Sequence, residues 1–320
     1  MEARADLQNF SAFIFELYER SHTHDSVALL RWSVERLAEA VGTDCHWSGW
    51  ADLSQKQIDI CGSISLNLPD DFFQFWTEIK HDDLLARDVM STGCDVATYN
   101  RQGSRHTEGM VALSDRYNID KLATIVIDNS DSPISLFLSS YRSGRHAKAL
   151  STAELKYLQA AMEHVRFAIE RNTLCSRGRE HLLVNEDGRV LAKSPGALRM
   201  LRECWPGWAG DRLPSHFPKR GAARSMPGDK VRFEKRAAPQ FSGPPLFYLT
   251  LRGNDPCSHL TTRERQIVDN IVDGLTHKEI ARSLGISPAT VRNHTQAVLT
   301  KMGAHNKAAL IKMVHAGQSA

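Results

Sequence analysis

Leu260-Thr261-Thr262-Arg263-Glu264-Arg265, then Gly274-Leu275-Thr276-His277-Lys278-Glu279-Ile280-Ala281, then Ser287-Pro288-Ala289-Thr290-Val291-Arg292-Asn293-His294 read as three short helices separated by caps and glycines. Thr261 or Thr262 caps the first, with Ile267, Val268 and Ile271 at helical spacing behind it. Gly274 ends that helix, because glycine enters the left-handed conformation without steric cost. Thr276 caps a second helix with Ile280, Ala281 and Leu284 on its apolar side, and Gly285 closes it. Ser287 is a third cap, and Pro288 takes the first helical position, where its missing N–H costs nothing. In the helix that follows, Val291, Val298 and Met302 form one buried stripe with Thr295 in line. Arg292, Asn293 and Gln296 share an outward face. Polar side chains of that length reach base edges in a major groove, whose width admits one helix.

Charge agrees. From Pro256 onward there are eight Lys/Arg against four Asp/Glu, a net +4, while the whole chain carries +3. The positive excess therefore sits in the smallest piece, as a module that meets phosphates requires.

These residues closely resemble the LuxR/FixJ-type helix-turn-helix. Leu260, Thr261, Arg263, Glu264, Lys278, Glu279, Ile280, Ala281, Leu284, Ile286, Ser287, Thr290, Val291, His294, Lys301 and Met302 fall on its pattern, which covers about a fifth of the chain. The resemblance implies a four-helix, all-α DNA-binding domain over 256–320. It puts Lys278, Thr290, His294 and Lys301 on phosphates and Arg292, Asn293 and Gln296 on bases, with a fourth helix near Asn306 to His315 as a dimer contact. Two positions depart. Asn306-Lys307 stands where an arginine-threonine pair is common. Arg292 replaces a usual lysine, turning a point charge into a fork that fits guanine.

The first 255 residues hold what is left. At 320 residues, 42% hydrophobic and 24% charged, the chain suits two or three soluble domains. No apolar run nears the ~20 residues that cross a bilayer, and Met1-Glu2-Ala3-Arg4-Ala5-Asp6 lacks a signal-peptide core. Six cysteines without a C-x-x-C pair suggest a reduced, cytoplasmic protein.

Residues 1–175 read as an α+β domain. Amphipathic helices run from about Leu7 to Glu19 and Ser26 to Val41, and strands cover about Cys45 to Ala51 and Ile58 to Leu66. Helical pieces span Asp70 to Met90, and a polar loop follows from Arg101 to Gly109. Leu122 to Ile127 and Ile134 to Leu138 make an antiparallel hairpin. Ser151-Thr152-Ala153-Glu154 is a capping box that opens a long helix striped by Leu155, Leu158, Met162, Val165 and Ile169. This stripe is a candidate dimer surface. The order of elements resembles GAF/PAS-like sensor domains. Residues 176–255 hold a strand, an Asp187-Gly188 turn, a second strand and a helix from Pro195 to Cys204, resembling the start of a PAS-type unit. Arg232 to Glu234 and Leu246 to Leu251 are its candidate closing strands. A proline-rich loop from Pro206 to Pro245, with the basic run Lys219-Arg220, lies between.

Catalysis finds no support. Glu78, His81, Asp82 and Asp83 diverge around a helix rather than converging on a metal, and neither Cys45-His46 nor His22-x-His24 has zinc-ligand spacing. No nucleophile-base pair, P-loop or dinucleotide motif is present. No enzyme, cofactor or metal is expected. A phospho-receiver domain is excluded because helices stand where its first strand and acidic pair belong. An acyl-homoserine-lactone receptor is an alternative: Phe72-Phe73-x-Phe75-Trp76 precedes Asp82, although Asp83 replaces the expected proline. Trp47, Phe73, Trp76 and Asp82 are the candidate ligand residues on either sensor reading. Redox sensing through Cys45, Cys61 or Cys94 is a third route. The expected whole is a homodimeric transcription regulator on double-stranded DNA, controlled by a small molecule or a partner protein, or else an interaction module anchored to DNA.

Overall fold

The computed structural model describes residues 2–54, 57–93, 95–129, 132–171, 180–213, 224–225, 231–239, 243–253 and 260–318. Cys94, Cys175, Cys257 and the Lys219-Arg220 run lie outside them. The chain divides into two compact units. One is Met1–Arg224 with Phe233–Leu251, the other Ser225–Arg232 with Arg252–Ala320.

The first unit opens with helices α1 (Glu2–Ser21) and α2 (Ser26–Val41). Asp25 caps α2 by accepting from the Ala28 amide at 3.0 Å, and Gly42 ends it in the left-handed region. Strands β1 (Cys45–Asp52) and β2 (Asp59–Leu66) follow, then α3 (Phe72–Ile79) and, after a single 3-10 turn, α4 (Leu84–Thr92). Next come β3 (Val96–Asn100), α5 (Glu108–Tyr117), β4 (Ile119–Asn129), β5 (Ser132–Ser143) and α6 (Thr152–Glu170). The strands form one antiparallel sheet in the order β2-β1-β5-β4-β3. The expected hairpin is β4–β5, and the expected capping box at Ser151 and Glu154 is formed.

Because side chains alternate across a strand, the sheet feeds two cores. Trp50, Ile125, Leu136 and Leu138 pack under α1, α2 and α6. On the other face Trp47, Val126, Phe137 and Tyr141 pack under α3, α4 and α5. This is the α+β arrangement, an antiparallel sheet with helices on both faces, that the element order suggests. The α6 stripe, however, is no pairing surface. Leu158, Met162 and Val165 are fully buried and Ile169 nearly so, because α6 packs on α1, α2 and the sheet at once.

A second sheet follows: β6 (Glu180–Asn185), β7 (Val190–Lys193), then α7 (Pro195–Cys204), β8 (Arg224–Ser225), β9 (Val231–Ala237) and β10 (Leu246–Gly253), in the order β7-β6-β10-β9-β8. It is more than the start of a unit. Leu183, Leu191, Leu246 and Tyr248 join the same core as α1, α2 and α6. The Tyr248 hydroxyl donates to Asp25 at 2.7 Å and accepts from the Val27 amide at 3.0 Å. Leu246 lies so close over Gly62 that a Cβ there would come within 2.4 Å of it.

The second unit carries α8 (Thr262–Val272), α9 (His277–Leu284), α10 (Pro288–Met302) and α11 (Lys307–Gln318). Ile267, Val268, Ile271, Ile280, Val291, Val298, Leu310 and Val314 make its core.

Candidate nucleic-acid interface and sensor cavity

Each helix of the C-terminal unit starts where the sequence offers a cap. The Thr261 hydroxyl accepts from the Glu264 amide while Glu264 accepts from the Thr261 amide at 2.8 Å, and Thr276 and Glu279 repeat the arrangement at α9. Ser287 accepts from the Thr290 amide at 3.0 Å. Gly285, at φ +64°, turns α9 into α10, and the Ile286 amide reaches back to the Ala281 carbonyl at 3.0 Å. That left-handed turn sets the angle between the two helices.

α10 then sorts its faces as expected. Val291, Thr295 and Val298 are buried, with the Thr295 hydroxyl returned to the Val291 carbonyl at 2.8 Å. Arg292, Asn293 and Gln296 are all exposed on the other side. Lys278 is exposed near the start of α9, while Thr290 and His294 are half-buried. The Thr290 hydroxyl shares a 2.8 Å hydrogen bond with Ser287.

Lys301 has a role that spacing did not reveal. Its ammonium sits 2.8 Å from both oxygens of Glu264, a carboxylate that is only 6% exposed. The Lys301 hydrogen bond, then the Thr261 amide, hold that carboxyl down at about 2. Arg263, next to it, donates to the Leu284 carbonyl at 2.6 Å, placing a cation on the C-terminal end of α9. Together they tie α8 to α9 and α10. His277, first in α9, is held below the usual histidine range by desolvation and by the nearby Lys307 and Arg292 cations. Its Nε2 is buried without a hydrogen-bond partner among the described residues. These cations, Arg292 of the outward α10 face among them, thus help keep His277 neutral.

The candidate ligand residues separate. Beneath α3 and α4 lies a cavity of about 30 Å³ lined by Trp47, Trp76, Asp83, Thr124, Phe137 and Ser139 among others. Trp47 meets Trp76 edge-on at 4.7 Å, and Phe73 packs outside them, 6.2 Å from Trp47. Asp83, not Asp82, faces the cavity. It accepts from the Trp76 indole at 2.8 Å and caps α4 through the Leu85 and Ala86 amides. Burial nevertheless pushes its carboxyl above the ordinary range. Asp82 instead accepts from the Gly109 amide at 3.0 Å, anchoring α5. Asp82 ends the 3-10 turn and Asp83 is the extended cap of α4, so the two carboxylates leave the chain in different directions, a break that placing both on one helix did not anticipate. Thr124 and Ser139 share a 2.8 Å hydroxyl contact across β4 and β5. They carry no motif, and only the strand register brings them together. The Trp47 Nε1 is buried with no acceptor among the described residues.

The two described buried thiols are poor redox candidates. Burial pushes Cys45 and Cys61 up to about 12, far from the thiolate that oxidation needs.

Comparison with known proteins identifies the C-terminal unit. Residues 258–314 match the family described as bacterial regulatory proteins, luxR family. The transcriptional regulatory protein FixJ of Azorhizobium caulinodans is 46% identical over 54 residues, covering 17% of this chain and 26% of FixJ. The transcriptional regulatory protein UhpA of Escherichia coli is 40% identical over 58 residues, 18% of this chain and 30% of UhpA. The chain thus spans less than a third of either relative. Escherichia coli SdiA aligns over 97% of this chain and 98% of its own at a TM-score of 0.41 and 13% identity, too distant a likeness to argue from. By this sequence match, the C-terminal unit, with its four-helix core, carries a LuxR-family helix-turn-helix domain.

Proposed function

We propose that the chain is a sequence-specific transcription regulator on double-stranded DNA, acting as a homodimer. Arg292, Asn293 and Gln296 read bases; Lys278, Thr290, His294 and Lys301 hold phosphates. One observation carries this reading: three long polar side chains stand exposed on one face of a capped helix whose opposite face is buried. Selection of bound sequences from a random duplex pool tests it with the full chain. A two-fold motif is the expected result, and recovery of unselected sequence would overturn base reading.

The N-terminal domain, 1–175 with the strand unit 176–255, is read as a sensor of a small molecule or partner. Support comes from the cavity over β1, β4 and β5, with an indole N–H that has no acceptor among the described residues and two hydroxyls on its wall. At about 30 Å³ it holds roughly two waters, whereas ligand pockets run to about 300–1,000 Å³. A ligand must therefore open it. The acyl-homoserine-lactone alternative draws on the Trp76–Asp83 contact, and it faces the same size limit. Melting of the full chain against a metabolite panel including such lactones tests both, since a ligand that binds only the native state raises the melting temperature.

A further inference from the structure

The ends of β1 and β2 present an electrostatic conflict. Asp52 and Asp59 lie directly opposite one another in the ladder, a placement that repels two carboxylates. Asp52 is only 1% exposed. Arg189, from the turn between β6 and β7, resolves it by pairing with Asp52 and standing 3.8 Å from Asp59. Its own turn is fixed: the Arg189 amide donates to the Asn185 side chain at 2.9 Å, and the Asn185 amide to the Arg189 carbonyl at 3.1 Å.

The neighbours of these two aspartates line the sensor cavity. Ala51 and Leu53 flank Asp52, and Ile58 and Ile60 flank Asp59, and all four face the cavity. Strand alternation sends each carboxylate to the opposite side of the sheet from its neighbours. The ladder is also irregular there. Trp50 pairs with Gly62 and Ala51 with Ile60, so Cys61 is an extra residue, and a bulge of this kind concentrates bending and twist. Whatever pushes the four apolar side chains outward must move Asp52 and Asp59, and with them the guanidinium.

Resting on the reading of this cavity as the sensor, we propose that Arg189 is the coupling element that carries cavity expansion across the first sheet into the β6–β7 hairpin. The Tyr248–Asp25 contact is the natural control, since it joins the second sheet to α2 and neither residue lines the cavity.

The test needs no ligand. Ala86, on α4, lines the cavity, and Ala86→Val adds two methyl groups to its wall. Hydrogen exchange of the full chain is followed at residues 51–60 and 180–193. In the wild-type background and in Tyr248→Phe, Ala86→Val changes exchange several-fold at both segments. In Arg189→Met the change persists at 51–60 and vanishes at 180–193. Should Arg189→Met fail to fold, the triple variant Asp52→Asn, Asp59→Asn, Arg189→Met removes the stranded charges and must give the same loss. A 180–193 response that survives without Arg189, or is missing with it, overturns the coupling. The sensor reading stands or falls separately, on whether any metabolite raises the melting temperature.

Discussion

At Lys301 the ammonium is already held by Glu264, so a phosphate at this position competes with, or adds to, an ion pair inside the domain. Arg292 makes no such ion pair among the described residues. We expect Arg292→Ala to flatten preference at one base pair per half-site, by about 1–3 kcal/mol. Lys301→Ala should weaken binding to all sequences alike and lower the salt slope by about one. Titrations on selected and scrambled duplexes at several salt concentrations separate the two. The same Lys301 variant has a second readout. A Glu264 carboxyl lowered to about 2 from 4.5 contributes stability that is complete above pH 4.5 and is lost as pH falls from there toward 2. Lys301→Ala shrinks that loss, and an unchanged acid limb in melting experiments would show that the pair does not matter. His46 gives a separate window. It is fully buried between the hydroxyls of Thr43 (2.7 Å) and Ser140 (3.0 Å), and desolvation lowers it from 6.5 to about 4. A histidine kept neutral in the fold costs stability as pH drops from 6.5 to 4, in total about 3 kcal/mol at 1.36 kcal/mol per unit. His46→Gln should flatten stability across that range. An equally steep decline in the variant would assign it to other groups.

Among the elements, those written locally were legible. The bounds of α2, the caps at Ser151, Thr261, Thr276 and Ser287, and the β4–β5 hairpin all follow from residues close in sequence. What depends on distant pairing was not. β3 reads weakly alone and exists because β4 pairs with it, and α5 begins inside the stretch expected to be loop, where Thr107 caps it and Asp82 holds its first turn. The α6 stripe was found, but a stripe states only that a helix has an apolar face, not whether that face meets its own domain or another molecule. Leu158→Ala should accordingly cost about 2–5 kcal/mol as a core truncation and leave the association state alone. Urea unfolding and sedimentation check the two halves, and dissociation without loss of stability would restore α6 as a pairing surface. At the α9–α10 turn, Gly285→Val places a β-branched side chain at φ +64°. It should destabilise the domain by about 1–2 kcal/mol, read from its own unfolding transition.

For the whole molecule, specificity sets the stoichiometry. One short helix reads few base pairs, so two copies on a two-fold site are expected. Sedimentation of the full chain with its selected duplex should give two chains per duplex, and one chain at saturation would remove the dimer from the proposal. With the α6 stripe buried, the surfaces left for pairing are those that remain apolar and exposed, such as Leu7 and Phe15 on α1, Phe167 on the outer side of α6 and Met313 on α11.

The shared core of the two sheets bears on how such a chain can be recombined with others. Leu183, Leu246 and Tyr248 complete the packing around α1, α2 and α6, so a chimera spliced at the end of α6 would inherit an N-terminal core left open on its apolar side. A junction placed after Gly253 keeps both sheets on one parent and hands the other parent an intact helix-turn-helix domain. The inheritable module is therefore the pair of sheets, and a shuffled library cut at α6 should yield insoluble fusions where one cut after β10 yields folded ones.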